Sequence, residues 1–325
     1  TEGIRLRKGN ICLPLEDAQS KLPAVGMKPQ SIVAVGSIAI DWLELPDGTE
    51  GETIGGSLTY FTRAAGSAAP VNIVGVIGTD FPIEGTALFE KYGANLDDLQ
   101  IKEGTSFRWG GRYHNNWEDR TTLYTELGVF ETFNPSLCDE NRRSSLFYLG
   151  NIHPTLQLAV VEQVVSEQPL IVCDTMNLWI NTARKELDKL LSSVDVLLLN
   201  ESEAALLTQT DDIASSVEAI RSSGPENVII KRGGAGATLF TGDGATHVPV
   251  YPIERLADPT GAGDSFGGGF MAALANGHSF AEGIVWGTAT ASFCVEGFGL
   301  EGLERMNASL LEERIETVRT SVDLG

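Results

Sequence analysis

LIVCDTMNLWINTARKELDKLLSSVDVLLLN, residues 170–200, decides the fold. It opens on Leu170 to Asp174, apolar and β-branched until a carboxylate ends the run. A helix-length segment from Thr182 to Leu191 follows, and the chain then enters a second apolar run, Val194 to Leu199, closed by Asn200. Strands without polar alternation are buried on both faces, as in a parallel sheet covered by helices on either side. Strand, helix and strand in alternation therefore predict a three-layer α/β/α domain with a mostly parallel central sheet.

The pattern extends in both directions. Buried-strand runs recur at Ser31–Gly36, Val71–Val76, Leu146–Gly150 and Val228–Lys231, with helix-length segments at Leu156–Glu167, Ser202–Thr208 and Ile213–Ser222. One region breaks the alternation. Thr105–His114 and Arg120–Phe130 are polar and aromatic around Asn115-Asn116, which reads as a hairpin exposed on one side. Asp41–Thr53 has the same character. Segments of about 41–56 and 103–130 are thus expected to form a small β flap, or lid, on a domain spanning 31–325. Residues 1–30 lack periodicity and read as an N-terminal extension; Pro14, Glu16 and Asp17 interrupt any signal-peptide core.

Composition excludes several function classes. A formal net charge of −21 opposes binding to nucleic acid or anionic membrane, both of which need clustered Lys and Arg. No apolar run reaches the length of a membrane span. The four cysteines, Cys12, Cys138, Cys173 and Cys294, show neither metal-ligand nor disulfide-framework spacing, and a reducing cytoplasm is the expected location.

The chemistry is concentrated in ADPTGAGDSFGGGF, residues 257–270, followed by the helix-forming Met271–Ala275. A glycine-dense loop running into a helix aims the amides of Gly261, Ala262 and Gly263 at one point, where they can hold an anion. Asp264 then lies beside a pocket for negative charge, placed to take a proton from an attacking hydroxyl. A lone Gly-Asp before a helix would read as a cap, but a cap does not account for the whole string with Asp258. The loop is not of the GxxxxGK[ST] type, which is absent from the chain, and Phe266 stands where a dinucleotide fingerprint needs its third glycine.

Asp258-Pro259-Thr260-Gly261-Ala262-Gly263-Asp264-Ser265-Phe266 resembles the C-terminal signature of the PfkB, or ribokinase-like, carbohydrate kinase family, and matching features run from about Ser31 onward. The resemblance implies an ATP- and Mg²⁺-dependent kinase with Asp264 as general base and Gly261–Gly263 as anion hole. Asp258 would belong to a monovalent-cation (K⁺) site found in many members. Asn200-Glu201-Ser202-Glu203 resembles the family's Asn-x-x-Glu element, which implies that Asn200 and Glu203 place Mg²⁺ and phosphates; alone it reads equally as a helix cap. Lys231, Gly233 and Gly236 resemble the glycine turn beside the nucleotide, and Asp174-Thr175-Met176-Asn177 an element near the phosphate channel.

On the acceptor side, Ser37 and Asp41 end the first strand and Gly55-Gly56 resembles the pair on which a sugar packs. Asp41 could accept two hydrogen bonds from a diol. Four residues past Gly56, the usual Asn is replaced by Tyr60, which offers a hydroxyl and a ring instead. The resemblance thus implies a sugar kinase, with a nucleoside kinase using Phe107, Trp109, Tyr113 and Trp117 around a base as the alternative, and a non-catalytic sensor as a more distant one. Dimerisation through the lid is common in the family and is expected here.

Overall fold

The computed structural model describes residues 26–115, 117 and 119–322; most of the extension expected over residues 1–30 lies outside them. Nine strands form the main sheet in the order β13-β12-β11-β10-β9-β8-β1-β4-β5. They are β1 (Ile32–Val35), β4 (Val71–Gly78), β5 (Asn95–Lys102), β8 (Leu146–Leu149), β9 (Leu170–Asp174), β10 (Val196–Asn200), β11 (Asn227–Lys231), β12 (Ala237–Thr241) and β13 (Gly244–Val248). From β5 to β11 neighbouring strands are parallel, and β12 and β13 add an antiparallel edge.

Alternate residues of each strand feed opposite cores, the period of two that a pleated strand imposes. Ile32, Ala34, Leu146, Tyr148, Leu170, Val172, Val196 and Leu198 face one core, against the helices Ser57–Ala65, Ala262–Ala275 and Phe280–Cys294. Val33, Val35, Phe147, Leu149, Ile171, Cys173, Leu197 and Leu199 face the other, against Arg184–Leu191, Glu201–Thr208 and Ile213–Ser223. This is the three-layer arrangement expected from residues 170–200. The segment expected as one helix from Leu156 to Glu167 ends at Val161, because Gln163 turns aside to donate to the carbonyls of Ala159 and Pro135.

A second sheet of four strands, in the order β3-β2-β6-β7, stands apart: β2 (Ala39–Glu44), β3 (Glu50–Gly55), β6 (Phe107–Tyr113) and β7 (Arg120–Glu126). The β6–β7 hairpin pairs antiparallel, and β6 runs parallel to β2 with Asp41 in register with Trp109. Among the described residues no helix is long and apolar enough to cross a membrane, and Cys138, Cys173 and Cys294 are free thiols.

Arg63 shows how the C-terminal segment is held. Its side chain is buried, donates to the carbonyls of Leu303 and, at 2.9 Å, Met306, and lies 4.0 Å from the centre of the Tyr92 ring. Arg63→Ala would remove a donor from both carbonyls, of which Leu303 keeps the Met306 amide at 3.0 Å, and would empty a packed volume. It is expected to cost about 2–4 kcal/mol in urea unfolding; a loss below about 1 kcal/mol would show that the contact is dispensable.

Candidate active site

The carboxyl ends of β1, β9, β10 and β11 converge on one rim of the main sheet, where ligands bind in open α/β sheets. Each strand delivers a polar group at its end: Ser37 after β1, Asp174 on β9, Asn200 on β10 and Lys231 on β11. The N-terminus of the Ala262–Ala275 helix meets the same rim. Lys231 approaches Gly263 so closely that a Cβ on that glycine would stand 3.1 Å from its Nζ.

Gly261 caps this helix in the left-handed region, with φ 75°, and a Cβ there would overlap the Tyr60 ring. Only glycine meets both conditions. The Ala262 amide donates to the Pro259 carbonyl at 3.2 Å, and the Ser265 amide to Gly261 at 2.8 Å. Helical geometry supplies no acceptor for the amides of Gly263 and Asp264, which remain as the first-turn donors. Asp258 is fully buried and folds the loop, accepting from the amides of Thr260 and Gly299 at 2.8 Å each. Burial still raises its pKa, the Thr260 and Gly299 hydrogen bonds opposing the shift.

Asp264 sits in the first turn of the helix. Burial pushes its pKa up to about 7; the charge of Asp174 adds to this, while Lys231 and Arg120 oppose it. Lys231 Nζ lies 2.8 Å from Asp174 Oδ2. Burial works against the lysine's charge, but Asp174 and Glu203 outweigh it and its pKa is raised. This makes a carboxyl able to take a proton near neutrality, next to a fixed cation and a helix N-terminus.

Asn200 and Glu203 form a capping box: the Asn200 side chain accepts from the Glu203 amide and Glu203 Oε2 from the Asn200 amide, both at 2.8 Å. The cap reading therefore holds in full. Burial lifts the Glu203 pKa to about 6 even so, with Lys231 opposing, which suits a carboxylate that gains a cation with the substrate. No group of three or more His, Cys, Asp or Glu among the described residues could hold a metal by itself.

Asp41 lies on β2, buried, hydrogen-bonded by the Gly56 amide, with its pKa pushed by burial to about 7. The bare backbone of Gly55 makes room for it, since a Cβ there would overlap the carboxylate. The charge of Asp264 contributes to its shift. Ser37 is committed elsewhere: its hydroxyl accepts from the Ser57 amide at 3.1 Å and lies 3.3 Å from the Ser57 hydroxyl. Gly236, with φ 91°, packs against the Val248 carbonyl in the β11–β12 hairpin, whereas Gly233 faces open space. Tyr60 is 1% exposed, and its ring supports the glycine loop from below; its hydroxyl has no hydrogen-bond partner among the described residues.

Two features escaped the sequence reading. The Thr260 hydroxyl donates to the Tyr113 hydroxyl at 3.1 Å, tying the small sheet to the glycine loop. Arg120, seen before only as the start of a strand, acts electrostatically on Asp264, Asp41 and Glu203. Only the register Tyr113↔Arg120 in the hairpin reveals it.

A doubly covered sheet with a glycine loop at a helix N-terminus, and a β sheet beside it, defines a ribokinase-like small-molecule kinase. The family model described as "pfkB family carbohydrate kinase" matches residues 29–304, and the chain belongs to that family. It is 27% identical over 273 residues to a cytidine kinase of Thermococcus kodakarensis, covering 82% of this chain and 97% of that one. It is 25% identical to a nucleoside kinase of Methanocaldococcus jannaschii, covering 85% and 94%. Among solved structures, an Arabidopsis thaliana ribokinase complexed with ribose and ATP superposes with a TM-score of 0.74 at 21% identity, covering 89% of this chain and 99% of that one.

Proposed function

We propose that this protein is an ATP- and Mg²⁺-dependent nucleoside kinase that phosphorylates a primary hydroxyl of its substrate. The free-sugar acceptor expected first from sequence becomes the second reading. One observation carries the change: Trp109 lies beside Asp41 in register, and neighbours in register share a face of the sheet. A carboxylate for a ribose diol thus stands next to an aromatic ring for a base. The relatives named as acting on cytidine and on nucleosides, which match 82% and 85% of this chain, support the same acceptor class, while a 2-dehydro-3-deoxygluconokinase of Escherichia coli matches 82% of it at 22% identity. The ribokinase matches among curated relatives span only about a third of the chain.

In this reading the Gly263 and Asp264 amides and Lys231 receive the terminal phosphates, and Asp264 takes the acceptor proton. Glu203 would help hold Mg²⁺, and the bound ion would neutralise phosphate charge. Asp41 fixes the acceptor hydroxyls. The small sheet is the lid that excludes water from the transfer, and residues 31–325 work as one kinase domain.

ADP release from Mg-ATP with ribose, fructose, fructose phosphates, adenosine, inosine and cytidine tests the acceptor. Turnover with a nucleoside is expected; turnover confined to free sugars would return the acceptor to that class. Trp109→Ala should raise the nucleoside KM roughly tenfold or more, the scale of one lost base–aromatic stack. An unchanged KM would remove Trp109 from the acceptor site.

A further inference from the structure

We propose that Tyr148 is a positioning residue: its buried hydroxyl is the donor that takes over the Asp174 carboxylate when Lys231 turns to the phosphates of a bound nucleotide. This rests on the kinase reading above and adds to it a residue outside the glycine-loop signature.

The fold fixes where that hydroxyl stands. Tyr148 lies on β8 in register with Val172 of β9. Residues two apart on a strand share a face, so Asp174 is its diagonal neighbour on the same side of the sheet. The Ala262–Ala275 helix closes over the pair: a Cβ on Gly267, three residues past Asp264, would stand 2.6 Å from the Tyr148 hydroxyl. Phe61 stacks on the ring, with centroids 4.0 Å apart and planes inclined by 15°. The side chain is fully buried, yet its hydroxyl has no hydrogen-bond partner among the described residues. Burial, and then the charges of Asp174 and Asp264, hold the phenol pKa well above its ordinary value. The group therefore keeps its proton and remains a donor.

A buried hydroxyl without a partner is costly, and here it matches a bond needed in another state. In the free protein Asp174 is supplied by the Thr175 amide on Oδ1 at 2.9 Å and by Lys231 Nζ on Oδ2 at 2.8 Å. The same Nζ faces the glycine loop, 3.1 Å from where a Cβ on Gly263 would stand. Phosphates seated on the Gly263 and Asp264 amides compete for that ammonium, because together they carry more charge than one carboxylate. Asp174 is 3% exposed and has no recourse to water. A carboxylate so buried needs a donor in place of the cation it gives up, and the Tyr148 hydroxyl stands beside it with a free proton. That bond keeps Asp174 ionised and in place while Lys231 serves the phosphates.

Tyr148→Phe removes the hydroxyl and keeps the ring. Calorimetric titration with magnesium and the β,γ-imido analogue of ATP should show affinity weakened roughly tenfold, the scale of one hydrogen bond to a charged group. Without nucleotide the melting temperature should match or exceed that of the parent, since no bond is lost in that state. A hydroxyl with a merely structural role would move both readings down together. In an Asp174→Asn background the same substitution should change the affinity less than about twofold. An affinity within about twofold of the parent would overturn the proposal. So would a nucleotide-free melting temperature lowered by more than about 2 °C, or a tenfold loss that persists beside Asp174→Asn. If the parent itself neither binds the analogue nor turns over Mg-ATP, the kinase reading fails and Tyr148 falls with it; if the parent does both, the variants judge Tyr148 alone.

Discussion

Asp264→Asn is expected to lose turnover by roughly 10²–10⁴-fold, the range for removing a general base, while becoming more stable above neutral pH. Both effects follow from one cause. Burial raises the Asp264 pKa from 3.8 to about 7. Between these values the folded protein holds a proton that the unfolded chain has released. Stability therefore falls as pH rises through that window, by an amount on the order of a few kcal/mol above it. Asn has the same shape without the charge and removes the penalty. The melting temperature of the variant should exceed that of the parent at pH 8 and approach it near pH 4. In the parent, turnover should fall as pH drops below about 7, since the base works only when ionised. Asp41 lies in the same field and is also raised to about 7, so the acid limb of the profile belongs to the pair. Near-normal turnover in the variant would remove Asp264 as base; a lower melting temperature at pH 8 would show that its charge is compensated in the folded state.

Lys231→Met should be the most destabilising change at the site, by about 3–5 kcal/mol, the cost of removing one partner from a buried ion pair. The pair is well enclosed, with side-chain exposures of 18% for Lys231 and 5% for Asp174. The Asp174 carboxylate would keep the Thr175 amide at 2.9 Å as a donor. Adding Asp174→Asn should recover much of the stability, because it is the uncompensated charge and not the lost contact that costs most. Activity should not return in the double variant, since the cation facing Gly263 is gone. Urea unfolding of the parent, both single variants and the double variant measures the coupling. Additive losses would mean that the two groups act independently.

Much of the fold is written in short-range pattern. The runs at 170–174 and 194–200 are apolar apart from Asp195 and the closing Asp174 and Asn200, because both faces of the central strands pack against helices, and this is visible without a partner in view. β5 and β13 are less legible: they are edge strands, and Asn95-Leu96-Asp97-Asp98 and Gly244-Ala245-Thr246-His247 carry polar residues where only one face packs. The glycine loop is legible for a different reason. Left-handed backbone, helix N-terminus and first-turn carboxylate all fall within a few residues of Gly261, so sequence spacing and spatial spacing coincide.

By itself the sequence determined the doubly covered parallel sheet, the hairpin beside it, and the loop that meets the helix at Asp264. Only the tertiary structure decided that Tyr60 lies beneath Gly261 rather than in the acceptor pocket, that Ser37 is taken up by Ser57, and that Lys231 faces Asp174. It alone brought Tyr113 to Thr260, 147 residues away along the chain, and Arg120 with it. The reason is physical: propensity, capping and periodicity act between residues a few positions apart. The field at a pocket is instead a sum over charges from distant segments, and it exists only once packing has brought them together.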